Sequence, residues 1–259
     1  MQTLKKSFER QNGIKDYILL KRTVTIDELC KKFRCSEATL RNDLTKLEKE
    51  GVLKRIRGGA IANEIVNHNS HLQKRMKENI KAKEKIAQYV VNYIIQAGMI
   101  ITLDSGTTSI ILAQKILDNQ IPCTVITNNL SAATILSKNE DIQLCLAGGL
   151  FDHKHGCFHD ETTDSIFKTY RSDIFFLSPN GIDSEGLVTS AGITEQSIKT
   201  KMIQHAKKTF VLADHSKFNK SELKILCTIK DVDTFITDDN VDKEIINTLS
   251  KKGAHFIII

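Results

Sequence analysis

The chain has 259 residues, of which 41% are apolar and 26% charged, with a net charge of +6. That length suits a small domain of about 60 residues joined to a larger one of about 190, and the composition excludes fibrous and low-complexity classes. No run of about 18 apolar residues could span a bilayer, and the opening MQTLKKSFERQ lacks the apolar core of an export signal, so a cytoplasmic protein without membrane contact is expected.

The charge is unevenly placed. Residues 1–62 hold 15 Lys and Arg against 8 Asp and Glu, so this quarter of the chain carries the whole basic excess. Such a distribution is the electrostatic footprint of a nucleic-acid-binding module attached to a neutral partner. A basic membrane-surface helix is the competing explanation, but the basic residues are spread through two capped helices instead of one amphipathic face.

In chain order, the first predicted helix runs from Phe8 to Leu20, with Ile14, Tyr17, Ile18 and Leu20 placed to pack behind the next two helices. Thr25 and Glu28 have the spacing of a capping box, and Ile26, Leu29, Cys30 and Phe33 then mark one face of a short helix. Ser36 offers a second N-cap, Leu40, Leu44 and Leu47 repeat at helical spacing, and Gly51 supplies a left-handed stop. Two capped helices around a tight turn predict a helix-turn-helix whose second helix enters the major groove. The segments Val52 to Ile56 and Ala60 to Ala62, joined by Arg57-Gly58-Gly59, predict a basic hairpin, or wing.

Candidate DNA contacts are Ser36, Glu37, Thr39, Arg41, Asn42, Thr45 and Lys46 on the second helix, with Lys54, Arg55 and Arg57 on the wing. Arg suits guanine and Asn suits adenine because each can make two hydrogen bonds to a base edge, while Thr and Lys can hold phosphates. From the helix pattern alone, a helical pair with a solvated charged face is an equal reading; the basic hairpin and the charge distribution favour DNA.

Residues 63–85 are polar, with Leu72, Met76 and Ile80 at helical spacing, and predict a partly helical linker. From Ile86 onward short apolar runs alternate with helical segments, the pattern of an α/β domain with a largely parallel sheet. The expected strands are Met99 to Leu103, Thr124 to Thr127, Gln143 to Leu146, Ile174 to Leu177, Phe210 to Ala213, Thr234 to Thr237 and Phe256 to Ile259. The expected helices are Ile86 to Ile95, Ser109 to Leu117, Leu130 to Ser137, Ser165 to Thr169, Glu195 to Lys207 and Lys243 to Lys252. The domain reading is therefore 1–62, a linker at 63–85, and 86–259.

Ligands of open α/β sheets lie beyond the carboxyl ends of the strands. There the chain concentrates small polar residues: Asp104-Ser105-Gly106-Thr107-Thr108, Thr127-Asn128-Asn129, Ala147-Gly148-Gly149, Ser178-Pro179-Asn180-Gly181 and Asp214-His215-Ser216-Lys217. The first loop opens a helix whose free N–H groups favour an anion, and a phosphate is the natural guest. A Walker loop is absent, which disfavours a nucleoside triphosphate. Simple helix capping by Ser and Thr is the competing reading of that loop, and Lys217 beside Asp214 adds weight to a charged ligand. The six cysteines contain no C-x-x-C and sit in apolar runs, and His153, His155 and His159 read as a polar loop, so neither metal nor cofactor is expected.

With these residues in view the chain resembles the DeoR family of transcriptional repressors over nearly its whole length, through CSEATLRNDLTKLEKEGVLKRIRGGA and then LDSGTTS, VITNNL, LAGGL, NGID and VLADHSKF. The resemblance implies a winged helix-turn-helix joined to an α/β sensor domain resembling ribose-5-phosphate isomerase, with a phosphorylated sugar as effector. Carried over, Asp104, Ser105, Gly106, Thr107 and Thr108 form the phosphate loop. Asn128, Gly148, Gly149, Asn180, Gly181 and Lys217 line the pocket, and Glu195 and Lys199 are candidates for sugar hydroxyls. Two departures stand out: Asn42 replaces the second of two adjacent arginines, and HKHGCFHDET replaces a Gly-Pro step. The expected function is a homodimeric or homotetrameric repressor that binds a double-stranded operator. The alternative is a sugar-phosphate isomerase or deaminase with Asp104, Asp214 or Glu195 as general base.

Overall fold

The computed structural model describes residues 10–15, 17, 18, 21–62, 72–192 and 195–259, in two compact units, Met1–Gln73 and Lys74–Ile259. Among the described residues no helix is long and apolar enough to cross a membrane.

In the smaller unit, residues 10–15, 17 and 18 are helical; Phe8 and Leu20 of the expected first helix lie outside the described residues. Strand β1 (Thr23–Thr25) leads into α1 (Ile26–Phe33), and α2 (Glu37–Lys49) comes next. Thr25 accepts from the Glu28 amide at 3.2 Å, but the expected reciprocal half of the capping box is absent. The Glu28 carboxylate instead accepts from the Tyr17 hydroxyl at 2.7 Å, tying α1 to the preceding helical stretch. Arg34 in the left-handed region ends α1, and Gly51 at φ +72° ends α2 as expected. Strands β2 (Leu53–Ile56) and β3 (Gly59–Ala62) form the wing, and β1 pairs with β3 to make an unforeseen third strand. Gly59 is required there, because a Cβ would stand 2.1 Å from the Val24 carbonyl oxygen. Ile14, Ile18, Leu29, Leu40, Leu44 and Leu53 form the core of the unit.

The larger unit is built on seven parallel strands: β4 (Ile100–Leu103), β5 (Thr124–Thr127), β6 (Gln143–Leu146), β9 (Ser172–Leu177), β12 (Ala206–Leu212), β14 (Thr234–Thr237) and β15 (Phe256–Ile258). Their spatial order is β15-β14-β12-β9-β4-β5-β6. Both faces are covered, and alternate side chains serve opposite cores. Ile174 and Phe176 join the cluster with Ile86, Val90 and Leu112, whereas Phe175 and Leu177 join the one with Ile198, Met202 and Leu249. The flanking helices are α3 (Ile80–Tyr93), α4 (Thr107–Asp118), α5 (Leu130–Leu136), α6 (Glu161–Thr169), α7 (Glu195–Gln204) and α8 (Lys243–Lys251).

Several boundaries move. Helix α3 begins at Ile80, and residues 74–85, expected in the linker, belong to the larger unit; residues 63–71 lie outside the described residues. Helix α6 starts at Glu161 because Asp160 accepts the Thr163 amide at 2.9 Å. Helix α7 stops at Gln204, and β12 starts at Ala206, earlier than expected, with Lys207 paired to Asp173 at 2.7 Å. Two additions were not expected: a two-residue hairpin of β7 (Phe151–Asp152) and β8 (Cys157–Phe158), and a small antiparallel sheet of β10 (Gly181–Ile182), β11 (Leu187–Ser190) and β13 (Lys224–Thr228).

The sheet reverses its winding between β4 and β9, since the chain travels outward through β5 and β6 before returning to β9 on the other side of β4. Parallel sheets open a crevice at such a point, beyond the strand ends.

Candidate functional site

In the smaller unit, Ser36, Glu37, Arg41, Asn42, Lys46, Lys54, Arg55 and Arg57 are exposed and Thr39 and Thr45 partly so. The opposite side of α2 explains why this surface faces outward. Leu40, Leu44 and Leu47 are buried, and buried Asp43 accepts from Arg10 Nε at 2.7 Å and from Gln11 Nε2 at 2.6 Å. Asp43 is an anchor that the sequence pattern did not disclose. Arg41 pairs with Glu37 at 2.5 Å along the helix. Arg55 reaches from the wing to Glu48 at 2.7 Å and to the Thr45 hydroxyl at 2.8 Å, which fixes the wing against α2. The exposed polar and basic side chains of α2 are thus joined to a braced hairpin.

In the larger unit, a cleft enclosing roughly 400 Å³, partly open to solvent, lies at the β4/β9 switch point. Ser105, Gly106, Thr107 and Thr108 form one wall; Ser178, Pro179 and Asn180 form another; Glu195, Lys199 and Lys217 close it, with Arg75 and Leu212. Asp104 organises the two walls from beneath. Its Oδ1 accepts from the Gly106 amide at 2.8 Å and the Ser109 hydroxyl at 2.6 Å, and its Oδ2 accepts from the Ser178 amide at 2.8 Å. Gly106 is needed because a Cβ would lie 2.3 Å from Ser178 Cβ. As the N-cap of α4 it offers no side-chain acceptor, so the amides of the first turn remain available to a ligand.

Lys199 is buried and stands 3.2 Å from both Asp104 and Glu195, with the Ser178 carbonyl at 3.3 Å. Burial acts to lower its ammonium, but the two carboxylates outweigh burial and hold it above the usual lysine range. Burial likewise acts to raise the Glu195 carboxyl, and Lys199 together with His155 brings it down to about 2. Behind Glu195 the expected polar loop contributes a chain of contacts. His155 Nε2 lies 3.9 Å from Glu195, His155 Nδ1 lies 2.5 Å from Asp152, and His159 lies 3.4 Å from Asp152. Among the described residues no group of three or more His, Cys, Asp or Glu is arranged to hold a metal.

The cleft therefore gathers Ser105, Gly106, Thr107, Thr108, Asn180, Glu195, Lys199 and Lys217, with Asp104 as their support. Asn128 lines a narrower recess that adjoins it, also bordered by Ser105, Glu195 and Lys199. Gly148, Gly149 and Gly181 stand apart. The Gly148 carbonyl accepts from the Thr163 hydroxyl at 2.8 Å, and a Cβ on Gly149 would meet Asp160 at 2.3 Å, so both serve the start of α6. Gly181 lies in β10, where a Cβ would meet the Lys220 carbonyl oxygen at 2.6 Å. Arg75 was missed, and Ser178 was placed in a pocket loop without being singled out as a site residue. Arg75 lay in a stretch read as linker.

Residues 10–66 match the DeoR-like helix-turn-helix domain and residues 78–239 the DeoR C-terminal sensor domain. The HTH-type transcriptional regulator YulB of Bacillus subtilis is 32% identical, covering 94% of this chain and 93% of that one. The HTH-type transcriptional repressor GlcR of the same organism is 30% identical over 96% and 95%, and the L-fucose operon activator of Haemophilus influenzae 30% over 85% and 88%. Among solved structures, ribose 5-phosphate isomerase A from Methanocaldococcus jannaschii is similar over 54% of this chain and 55% of that chain, at 19% identity and a TM-score of 0.41. The chain belongs to the DeoR family of transcriptional regulators.

Proposed function

We propose that this regulator represses genes of carbohydrate metabolism and that a phosphorylated sugar, bound in the β4/β9 cleft, alters its grip on the operator. The observation that carries the ligand class is the uncapped start of α4, facing a cleft bordered by hydroxyls and by Arg75 and Lys217. Helix amides together with cations answer a phosphomonoester, and Asn180, Glu195 and Asn128 answer sugar hydroxyls. The relative named the L-fucose operon activator supports a sugar-linked role, and the one named a transcriptional repressor supports repression.

On the DNA side, Arg41 and Asn42 read base edges from α2, and Ser36, Glu37, Thr39, Thr45, Lys46, Lys54, Arg55 and Arg57 position the head on the duplex. One head reads few bases, so two or more copies of the chain act on paired half-sites in the cytoplasm. The carboxylates of the cleft favour sensing over turnover. Both Asp104 oxygens already accept hydrogen bonds, Glu195 is held at about 2 by Lys199, and Asp214 caps the turn that carries Lys217. A general base needs a carboxylate with an unengaged oxygen and a pKa near the working pH.

The test is a panel of sugar phosphates applied to the full chain. Thermal shift identifies binders, since a ligand at 100 times its dissociation constant adds about 2.7 kcal/mol. Operator release or tightening by the same compounds, without turnover, supports the reading; turnover without DNA binding overturns it.

A further inference from the structure

We infer that Arg75 is a direct ligand of the anion in the cleft, and that an occupied cleft thereby clamps the helical residues 74–77, at which the larger unit begins. This rests on the cleft being a phosphate site. Lys199 is the obvious cation there, but Asp104 and Glu195 already hold it from either side. Arg75 and Lys217 border the same cleft, are only partly buried, and form no ion pair within 4.0 Å among the described residues, although Arg75 is near enough to Glu195 to help lower its carboxyl. A phosphomonoester carries about −1.5 to −2 charge near neutral pH, which two such cations match. The planar guanidinium can donate two parallel hydrogen bonds to phosphate, which an ammonium cannot.

The segment that carries Arg75 is tied to the loop that carries Lys217. Lys83, buried, donates to the carbonyls of Arg75 and Glu78 at the end of the segment. Asn79, in the left-handed region at φ 51°, donates to Asp214 Oδ1 at 2.7 Å. Asp214 in turn accepts the Ser216 amide at 3.1 Å, capping the turn that presents Lys217. An anion held between Arg75 and Lys217 closes this chain of contacts into a ring. The division between the units falls between Gln73 and Lys74, so the clamped residues are those immediately after the joint. A ligand shifts an equilibrium only through contacts that differ between its two states, and a guanidinium on this segment is such a contact.

Hydrogen exchange on the full chain with saturating glucose 6-phosphate, and separately with inorganic phosphate, tests the inference. In the wild type, peptides covering 74–79 and 104–112 both gain protection. Arg75→Gln weakens binding about 10- to 100-fold, the effect of losing charge-assisted hydrogen bonds, and at saturation protects 104–112 alone. Lys217→Gln also weakens binding but at saturation protects both segments. Wild-type affinity in Arg75→Gln, or its full protection of 74–79, overturns the inference. Protection of only 104–112 in the wild type overturns the clamp and leaves the phosphate site standing, whereas no protection with either probe removes both.

Discussion

Replacing Asp104 with Asn changes one atom's chemistry and no volume, so its effect isolates hydrogen-bond polarity at the base of the cleft. Asp104 is fully buried and accepts from the Gly106 amide, the Ser109 hydroxyl and the Ser178 amide, with Lys199 at 3.2 Å. An Asn amide group must point either at Gly106 and Ser109 or at Ser178 and Lys199. In both orientations a backbone N–H, which cannot rotate, is left facing another donor. An unsatisfied buried donor costs about 1–3 kcal/mol, and removing one partner of a buried ion pair about 3–5 kcal/mol. Glu195 still faces Lys199 at 3.2 Å, so the combined cost falls near about 3–5 kcal/mol rather than their sum. For a domain of this size about 2–4 °C accompanies each kcal/mol, so the larger unit should melt about 6–20 °C earlier. Calorimetry on the full chain measures this, and operator binding at low temperature should survive because the reading head is a separate unit. The phosphate response should also vanish, since Gly106 and Ser178 lose their common anchor. A loss under about 1 kcal/mol with an intact response would refute the assignment of Asp104 as that anchor.

Three further outcomes rest on named groups. Arg41→Ala should cost about 1–3 kcal/mol of specific operator binding in gel-shift titrations. It should hardly change stability, because its exposed pair with Glu37 contributes about 0.3–0.5 kcal/mol; equal loss on random DNA would instead mark a phosphate contact. Lys54→Ala should weaken binding to all sequences and lower the slope of log affinity against log salt by about one, read from titrations at several salt concentrations. Burial lowers the Lys83 ammonium to about 8, below its ordinary 10.5. Between those values the unfolded chain binds more protons, so Lys83 adds stability as pH rises through that window, by an amount on the order of 2–3 kcal/mol. Urea denaturation at pH 7 and pH 10 should show wild type gaining on Lys83→Met; a constant gap would contradict the burial argument.

The sequence disclosed what depends on local rules. Short apolar runs between helical segments located the parallel strands, the Ser36 and Gly51 caps located α2, and strand-end loops located the cleft. It failed where short segments gain their structure only from distant partners. Strands of two residues such as Gly181–Ile182 carry no alternation to detect, and they exist because Leu187–Ser190 and Lys224–Thr228 pair beside them. Asp160 capped α6 from within a polar run where nothing distinguished it from its neighbours.

The charges of the cleft show the same division. Residue type suggests that any Lys near a phosphate loop binds phosphate, and by that criterion Lys199 and Lys217 are equivalent. Tertiary pairing separates them: Lys199 is paired with Asp104 and Glu195 and serves to hold α7 against the ends of β4 and β9, while Lys217 borders the cleft with no ion pair within 4.0 Å among the described residues. Glu195 is separated in the same way from a catalytic carboxylate, since a group held near 2 by its neighbours is a weak acceptor of protons at neutral pH. Position relative to opposite charge, which requires the folded chain, decides whether a buried ionic side chain is scaffold or contact. By that criterion, among the described residues, Asp104–Lys199–Glu195 is a buried ionic scaffold beneath a rim that carries Arg75 and Lys217, the pair on which the proposed anion site depends.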